Sequence, residues 1–189
     1  MGFDSQVRCR KSVRLRQHDH SSAGFYFVTI CTYKRRCLFG DMVDGDLRLS
    51  SFGSYVEAAW RDIPNCHNNV GLDAFVVMPN HLHGIVSLND AAAPFESERV
   101  PAVSEIVRAF KARCAFYLEK NGYSDAEPVW QRNYHEHAIR DEKAYAEIVQ
   151  YIENDPQQWQ QDIYNVTPRG ANSRVPFASR SRLARISYG

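Results

Sequence analysis

Three short segments hold the side chains best suited to chemistry. In His81-Leu82-His83 two imidazoles flank one apolar residue. On a β-strand a period of two places both rings on one face and sends Leu82 into the core behind them. Two neutral imidazoles side by side make a two-point grip for a metal ion. Histidines that merely satisfy hydrogen bonds produce the same triplet, so the spacing alone leaves both readings open. His135-Glu136-His137 repeats the pattern with a charged middle residue. That residue puts a wet or salt-bridged face behind the rings, and no third ligand is obvious nearby. A structural or DNA-contacting role suits this pair better than metal binding. The third segment runs from Asp141 to Pro156 and carries Tyr151 four residues before Asp155. At helical spacing the phenol and the carboxylate share one face. That arrangement suits a nucleophile beside a metal ligand, although a tyrosine on a helix is also an ordinary packing residue.

The surrounding pattern supplies elements to position these groups. Residues 24–33 are aromatic and β-branched and predict a buried strand. Asp44-Gly45-Asp46 reads as a turn, with Leu47 and Leu49 alternating after it. Tyr55, Ala58, Ala59 and Ile63 fall at helical spacing between Ser54 and Ile63, before Pro64. Val70 to Met78 and His81 to Leu88 predict two strands joined as a hairpin by Pro79-Asn80. Residues 89–100 read as a surface loop. Val103 to Leu118 forms a helix with Val103, Ile106, Val107, Phe110, Cys114 and Tyr117 on its apolar face, and Asn121-Gly122 stops it. Tyr134 to Arg140 predicts a fourth strand. Asp141 caps a last helix expected to end at Asn154 or Asp155, because Pro156 disfavours helical geometry in the residue before it. The order β-α-β-β-α-β-α predicts a compact α+β domain of the ferredoxin-like kind, an antiparallel sheet with helices packed on one face.

Composition bounds the function classes. The chain of 189 residues is 44% hydrophobic and 24% charged, ordinary for a globular protein, and is long enough for one sizeable core. The apolar runs are much shorter than a membrane span, and no secretory leader pattern is present, so a cytoplasmic location is expected. The five cysteines form no CxxC pair, which argues against a disulfide framework and a cysteine zinc site. The net charge of +1 conceals an asymmetry: residues 1–16 carry +4, residues 169–189 carry +5, and residues 17–168 carry −8. Basic arms on an acidic body suit a polyanionic partner, although short basic ends are also found as merely solvated tails. The chain therefore divides into a basic N-terminal arm (1–16), an acidic body that forms the folded domain (17–168) and a basic tail (169–189).

Phe75-Val76-Val77-Met78-Pro79-Asn80-His81-Leu82-His83-Gly84-Ile85-Val86 resembles the His-hydrophobic-His strand of the single-tyrosine HUH transposases, and among these the REP-associated tyrosine transposases. Residues 25–40, residues 130–140 (WQRNYHEHAIR), residues 151–156 (YIENDP) and Trp159 are similar to the same subfamily, so the likeness spans roughly 12–163. The resemblance implies a ferredoxin-like HUH domain that cuts single-stranded or hairpin DNA, as monomer or homodimer. It implies His81 and His83 as paired ligands for Mg2+ or Mn2+, and Tyr151 as the nucleophile that forms a 5′-phosphotyrosine. Asp155 stands where the family usually presents Asn or Gln, which makes it a third ligand of altered character. Arg8, Arg10, Lys11, Arg14, Arg16, Arg132, Arg174, Arg180 and Arg182 are the expected DNA contacts. The alternatives are a catalytically silent hairpin-binding protein and a phosphodiesterase in which water attacks in place of Tyr151.

Overall fold

The computed structural model describes residues 23–89, 100–123, 127–161 and 164–165. The expected strands form as β1 (Gly24–Cys31), β4 (Val70–Val77), β5 (His81–Leu88) and β6 (His135–Ile139). They make one sheet in the order β4-β5-β1-β6, every neighbour antiparallel. With α1 (Ser51–Arg61) between β1 and β4, and α3 (Val103–Lys120) between β5 and β6, this is the ferredoxin-like arrangement. A short hairpin of β2 (Gly40–Val43) and β3 (Asp46–Leu49) is inserted ahead of α1, turning at the predicted Asp44-Gly45.

The helices α1 and α3 share one face of the sheet. Their buried residues Phe52, Val56, Trp60, Ile106, Val107, Phe110 and Cys114 meet Tyr26, Val28, Ile30, Leu82 and Val86 in the main core. The last helix, α4 (Glu142–Gln158), lies against the opposite face, where Ile152 joins Ala74, Val76, Met78 and Ile85. Strand β4 serves both cores through alternation, and a bulge between Leu72 and Phe75 resets that alternation, so that these two residues face the same way despite their odd separation. Gly84 of β5 is the point of closest approach: a Cβ there would stand 2.7 Å from the Trp60 ring, so only glycine lets α1 pack this near the strand that carries the histidines.

Several boundaries differ from expectation. Helix α1 starts at Ser51, where the Ser50 hydroxyl accepts from Gly53 N at 3.0 Å; Ile63 opens a separate short helix, α2 (Ile63–Cys66). Its buried face is Phe52, Val56, Ala59 and Trp60, with Ala58 exposed, one step round from the expected stripe. In α3 Leu118 is buried, while Tyr117 stacks on Tyr55 at the core margin. The expected end of α4 at Asn154 or Asp155 is corrected: the helix runs through Pro156 to Gln158, then tightens into a 3-10 turn over Trp159–Gln161. Proline there forfeits one hydrogen bond near the helix end, and burial of the Trp159 ring against His81 offsets that loss.

Candidate active site

Strand β5 presents His81 and His83 on the α4 side of the sheet, with Leu82 behind them in the main core. The fit to α4 brings Asp155 to both rings. Its Oδ2 lies 3.2 Å from His81 Nε2 and 3.9 Å from His83 Nε2. Ligand atoms of the three residues all lie within 4.8 Å of one another, and all three side chains are buried. One turn earlier on α4, the Tyr151 hydroxyl sits 3.3 Å from His83 Nε2. Its ring is edge-on to His83 and Phe27 and is 39% exposed, so the phenol stands at the rim of an otherwise buried group.

The outer nitrogens of both histidines are anchored. Asn80, fully buried in the two-residue turn between β4 and β5, directs its Nδ2 to the carbonyl oxygens of Arg35 and Tyr164, at 3.1 and 2.8 Å. Carbonyls only accept, so the amide NH2 belongs on that side and Oδ1 faces His81 Nδ1 at 2.9 Å. Oδ1 in turn can only accept, which puts the ring proton on Nδ1 and leaves the Nε2 lone pair facing Asp155. Thr29, directly opposite His83 in the β1–β5 register, holds His83 Nδ1 through its hydroxyl at 2.8 Å. Trp159 and Tyr164 pack against the His81 ring, at 6.0 and 4.7 Å between centroids, and close that side.

Burial decides the protonation states. The His83 pKa is pushed down to about 3, mainly by desolvation and then by the neighbouring His81, so that the ring stays neutral at ordinary pH. Desolvation also raises Asp155 to about 6, against the opposing pull of His83. Nitrogen lone pairs and a carboxylate thus converge in a dry place, a donor set that fits a divalent cation. His81, His83 and Asp155 could hold such an ion.

Below about pH 6 a proton on Asp155 competes with the metal, so Mn2+ affinity should fall by about tenfold per pH unit. Asp155→Asn should bind more weakly at neutral pH but flatten that fall, as calorimetric titration across pH would show; an equally steep fall in the variant would assign the proton elsewhere. Asn80→Leu removes the acceptor for His81 and should weaken Mn2+ binding by about 10- to 100-fold. Asn80→Asp keeps an acceptor and should retain most affinity while losing thermal stability. Affinity that tracks melting temperature in both variants would reduce Asn80 to a structural residue.

The other expected site residues fall apart from this cluster. His135 and His137 are exposed on β6 and do not join the His81–His83–Asp155 group. Arg132 is exposed on the segment entering β6. Arg8, Arg10, Lys11, Arg14, Arg16, Arg174, Arg180 and Arg182, with the two basic arms, lie outside the described residues. Asn80 and Thr29 were not legible as site residues; Pro79-Asn80 signalled only a turn.

Comparison with known proteins agrees with this architecture. The chain matches a solved structure of a REP-associated tyrosine transposase bound to a REP hairpin with a TM-score of 0.52 at 20% identity, over 86% of this chain and 93% of that one. It therefore has the fold of a REP-associated tyrosine transposase, as the motifs led us to expect. It is 39% identical over 173 residues to an uncharacterized protein of Haemophilus influenzae, covering 85% of this chain and 95% of that protein. The chain belongs to the same family as the Haemophilus influenzae protein. No family model matches it.

Proposed function

We propose that this protein is a metal-dependent, single-tyrosine DNA strand transferase that cuts and rejoins single-stranded DNA next to hairpins. The carrying observation is the Tyr151 hydroxyl at the exposed rim of the buried His81–His83–Asp155 group, 3.3 Å from His83 Nε2. The fold neighbour that holds a REP hairpin supports hairpin DNA as the substrate class.

Mg2+ or Mn2+ held by His81, His83 and Asp155 would supply positive charge to the non-bridging oxygens of the scissile phosphate. A free phenol has a pKa of about 10 and is a poor nucleophile unless its target is activated. Tyr151 attacks phosphorus; the Oη–P bond forms as the P–O3′ bond breaks. The phenol gives up its proton, the departing 3′ oxygen takes one up, and the 5′ phosphate stays on the tyrosine. A 3′-OH from a second strand reverses the exchange, ester for ester, so no nucleotide is consumed. The half-exposed Tyr151 ring lets a strand reach the hydroxyl while Trp159 and Tyr164 cover the far side of His81. Incubating a labelled hairpin with the protein and Mn2+, followed by a denaturing gel, tests the proposal: a band shifted by the mass of the protein is expected.

The basic arms supply grip in this reading, since the body they flank carries −8. Each phosphate neutralised on a single strand contributes about −0.7 to the slope of log affinity against log salt, so the five tail arginines contribute up to about −3.5 if all of them contact phosphate. Deleting residues 169–189 should flatten the slope by that amount and leave metal binding intact. Faster cleavage at an unchanged slope would show instead that the tail covers the site.

A further inference from the structure

The second imidazole pair takes no part in the metal group, and the sheet register gives it another place. Directly opposed residues of antiparallel strands lie on one face. His135 on β6, Thr29 on β1 and His83 on β5 therefore form one row across the sheet, and His137, Phe27 and Ile85 form the next. Both rows face α4. At the β5 end they are buried beneath that helix, whereas at the β6 end both imidazoles are exposed. In the following row, Phe25 is 43% exposed, edge-on to Tyr145 of α4.

Tyr151 stands at the boundary between the covered and open halves. Its ring lies 6.2 Å from Phe27, which in turn lies 6.4 Å from His135. Trp159 and Tyr164 pack on the His81 ring, and Tyr164 also lies edge-on to His83 at 5.6 Å. Among the described residues, exposed His135, His137 and Phe25 thus mark the open side of Tyr151 as the one over β6 and β1, with His83 buried behind it. β6 is an edge strand of its sheet, and exposed Arg132 and Arg140 stand just outside its two ends.

We infer that His135, His137 and Phe25 form a stacking surface for the unpaired bases that flank the scissile phosphate, with Arg132 and Arg140 meeting the backbone at either end. Flat rings tolerate any base, because every base offers a π-face, while cationic side chains meet the phosphates. This inference rests on the proposed strand-transfer reading and specifies where its substrate lies. It also gives the His135-Glu136-His137 triplet a use: the imidazoles point to the strand, and Glu136, on the other face, accepts from the Tyr134 hydroxyl at 2.6 Å.

The test uses the full chain, with Mn2+, and two fluorescein-labelled hairpins, one carrying mixed-sequence single-stranded flanks and one blunt. His135→Ala/His137→Ala should weaken binding of the flanked hairpin on the order of tenfold and leave the blunt hairpin within about twofold. Mn2+ affinity and melting temperature should not change. His135→Phe/His137→Phe, which keeps flat rings, should restore most of the lost affinity. Unchanged binding of the flanked hairpin in the alanine variant, or equal losses on both hairpins, would overturn the inference, as would failure of the phenylalanine variant to restore binding. Absence of a covalent adduct with the parent protein would instead count against the strand-transfer reading. If the parent forms the adduct and the alanine variant binds as the parent does, the stacking surface alone is wrong.

Discussion

Alanine at both His81 and His83 is expected to lower Mn2+ affinity by at least about a thousandfold and to bring strand cleavage to background. Both rings are buried and their Nε2 atoms face Asp155 Oδ2, so nothing else among the described residues replaces them. The double variant leaves Asp155 buried without a neighbouring imidazole, which favours its protonated form still further. The fold should persist, because Leu82 and Gly84 keep β5 seated against α1 and α3 on the opposite face. Titration calorimetry with Mn2+ checks the first effect and circular dichroism the second. Retained affinity in a folded variant would show that these histidines are not the ligands. Exposed His135 and His137 would then be the next pair to examine.

Tyr151→Phe should abolish covalent adduct formation, with a loss of at least about ten-thousandfold in cleavage, while hairpin binding stays near that of the parent protein. The substitution removes one hydroxyl and its 3.3 Å contact with His83 Nε2, and the ring keeps its edge-on packing against Phe27. One partly exposed hydrogen bond is small in stability terms, so melting temperature should move by no more than about 4 °C. Tyr134, Tyr145 and Tyr164 provide internal controls. Tyr164 is the most informative of them, because its ring lies 5.6 Å from that of His83. An adduct that survives in Tyr151→Phe and disappears in Tyr164→Phe would transfer the nucleophile's role to Tyr164.

The parts of this site that follow from local periodicity were legible in the sequence. Period two places His81 and His83 on one strand face, and a four-residue step places Tyr151 above Asp155 on one helix face. Four strands and their ferredoxin-like order also followed from apolar pattern and turn residues. What depended on contacts between distant segments did not. The roles of Asn80 and Thr29 need the carbonyls of Arg35 and Tyr164 and the pairing of β1 with β5, none of which is visible near MPNHLH. The bulge in β4 is similarly a property of the sheet and of two cores competing for one strand. Pro156 misled for a related reason: the local rule ends the helix there, but Asp155 and Trp159 are held by His81 from another strand and keep the chain turning. The opposite placement of α4 relative to α1 and α3 turns the histidine face into a covered site, with an open margin at β6.

Mapping the covalent product decides whether Tyr151 is the nucleophile. The full chain is incubated with Mn2+ and a labelled hairpin carrying single-stranded flanks, digested with nuclease and protease, and read by tandem mass spectrometry. One modified peptide is expected, containing residues 151–156, with a nucleotide 5′-phosphate esterified to Tyr151, together with a DNA fragment ending in a free 3′-OH. Cleaved DNA with a free 5′-phosphate and no modified peptide would mean that water is the nucleophile. Intact DNA bound tightly by a metal-loaded protein would mean that the fold serves recognition alone.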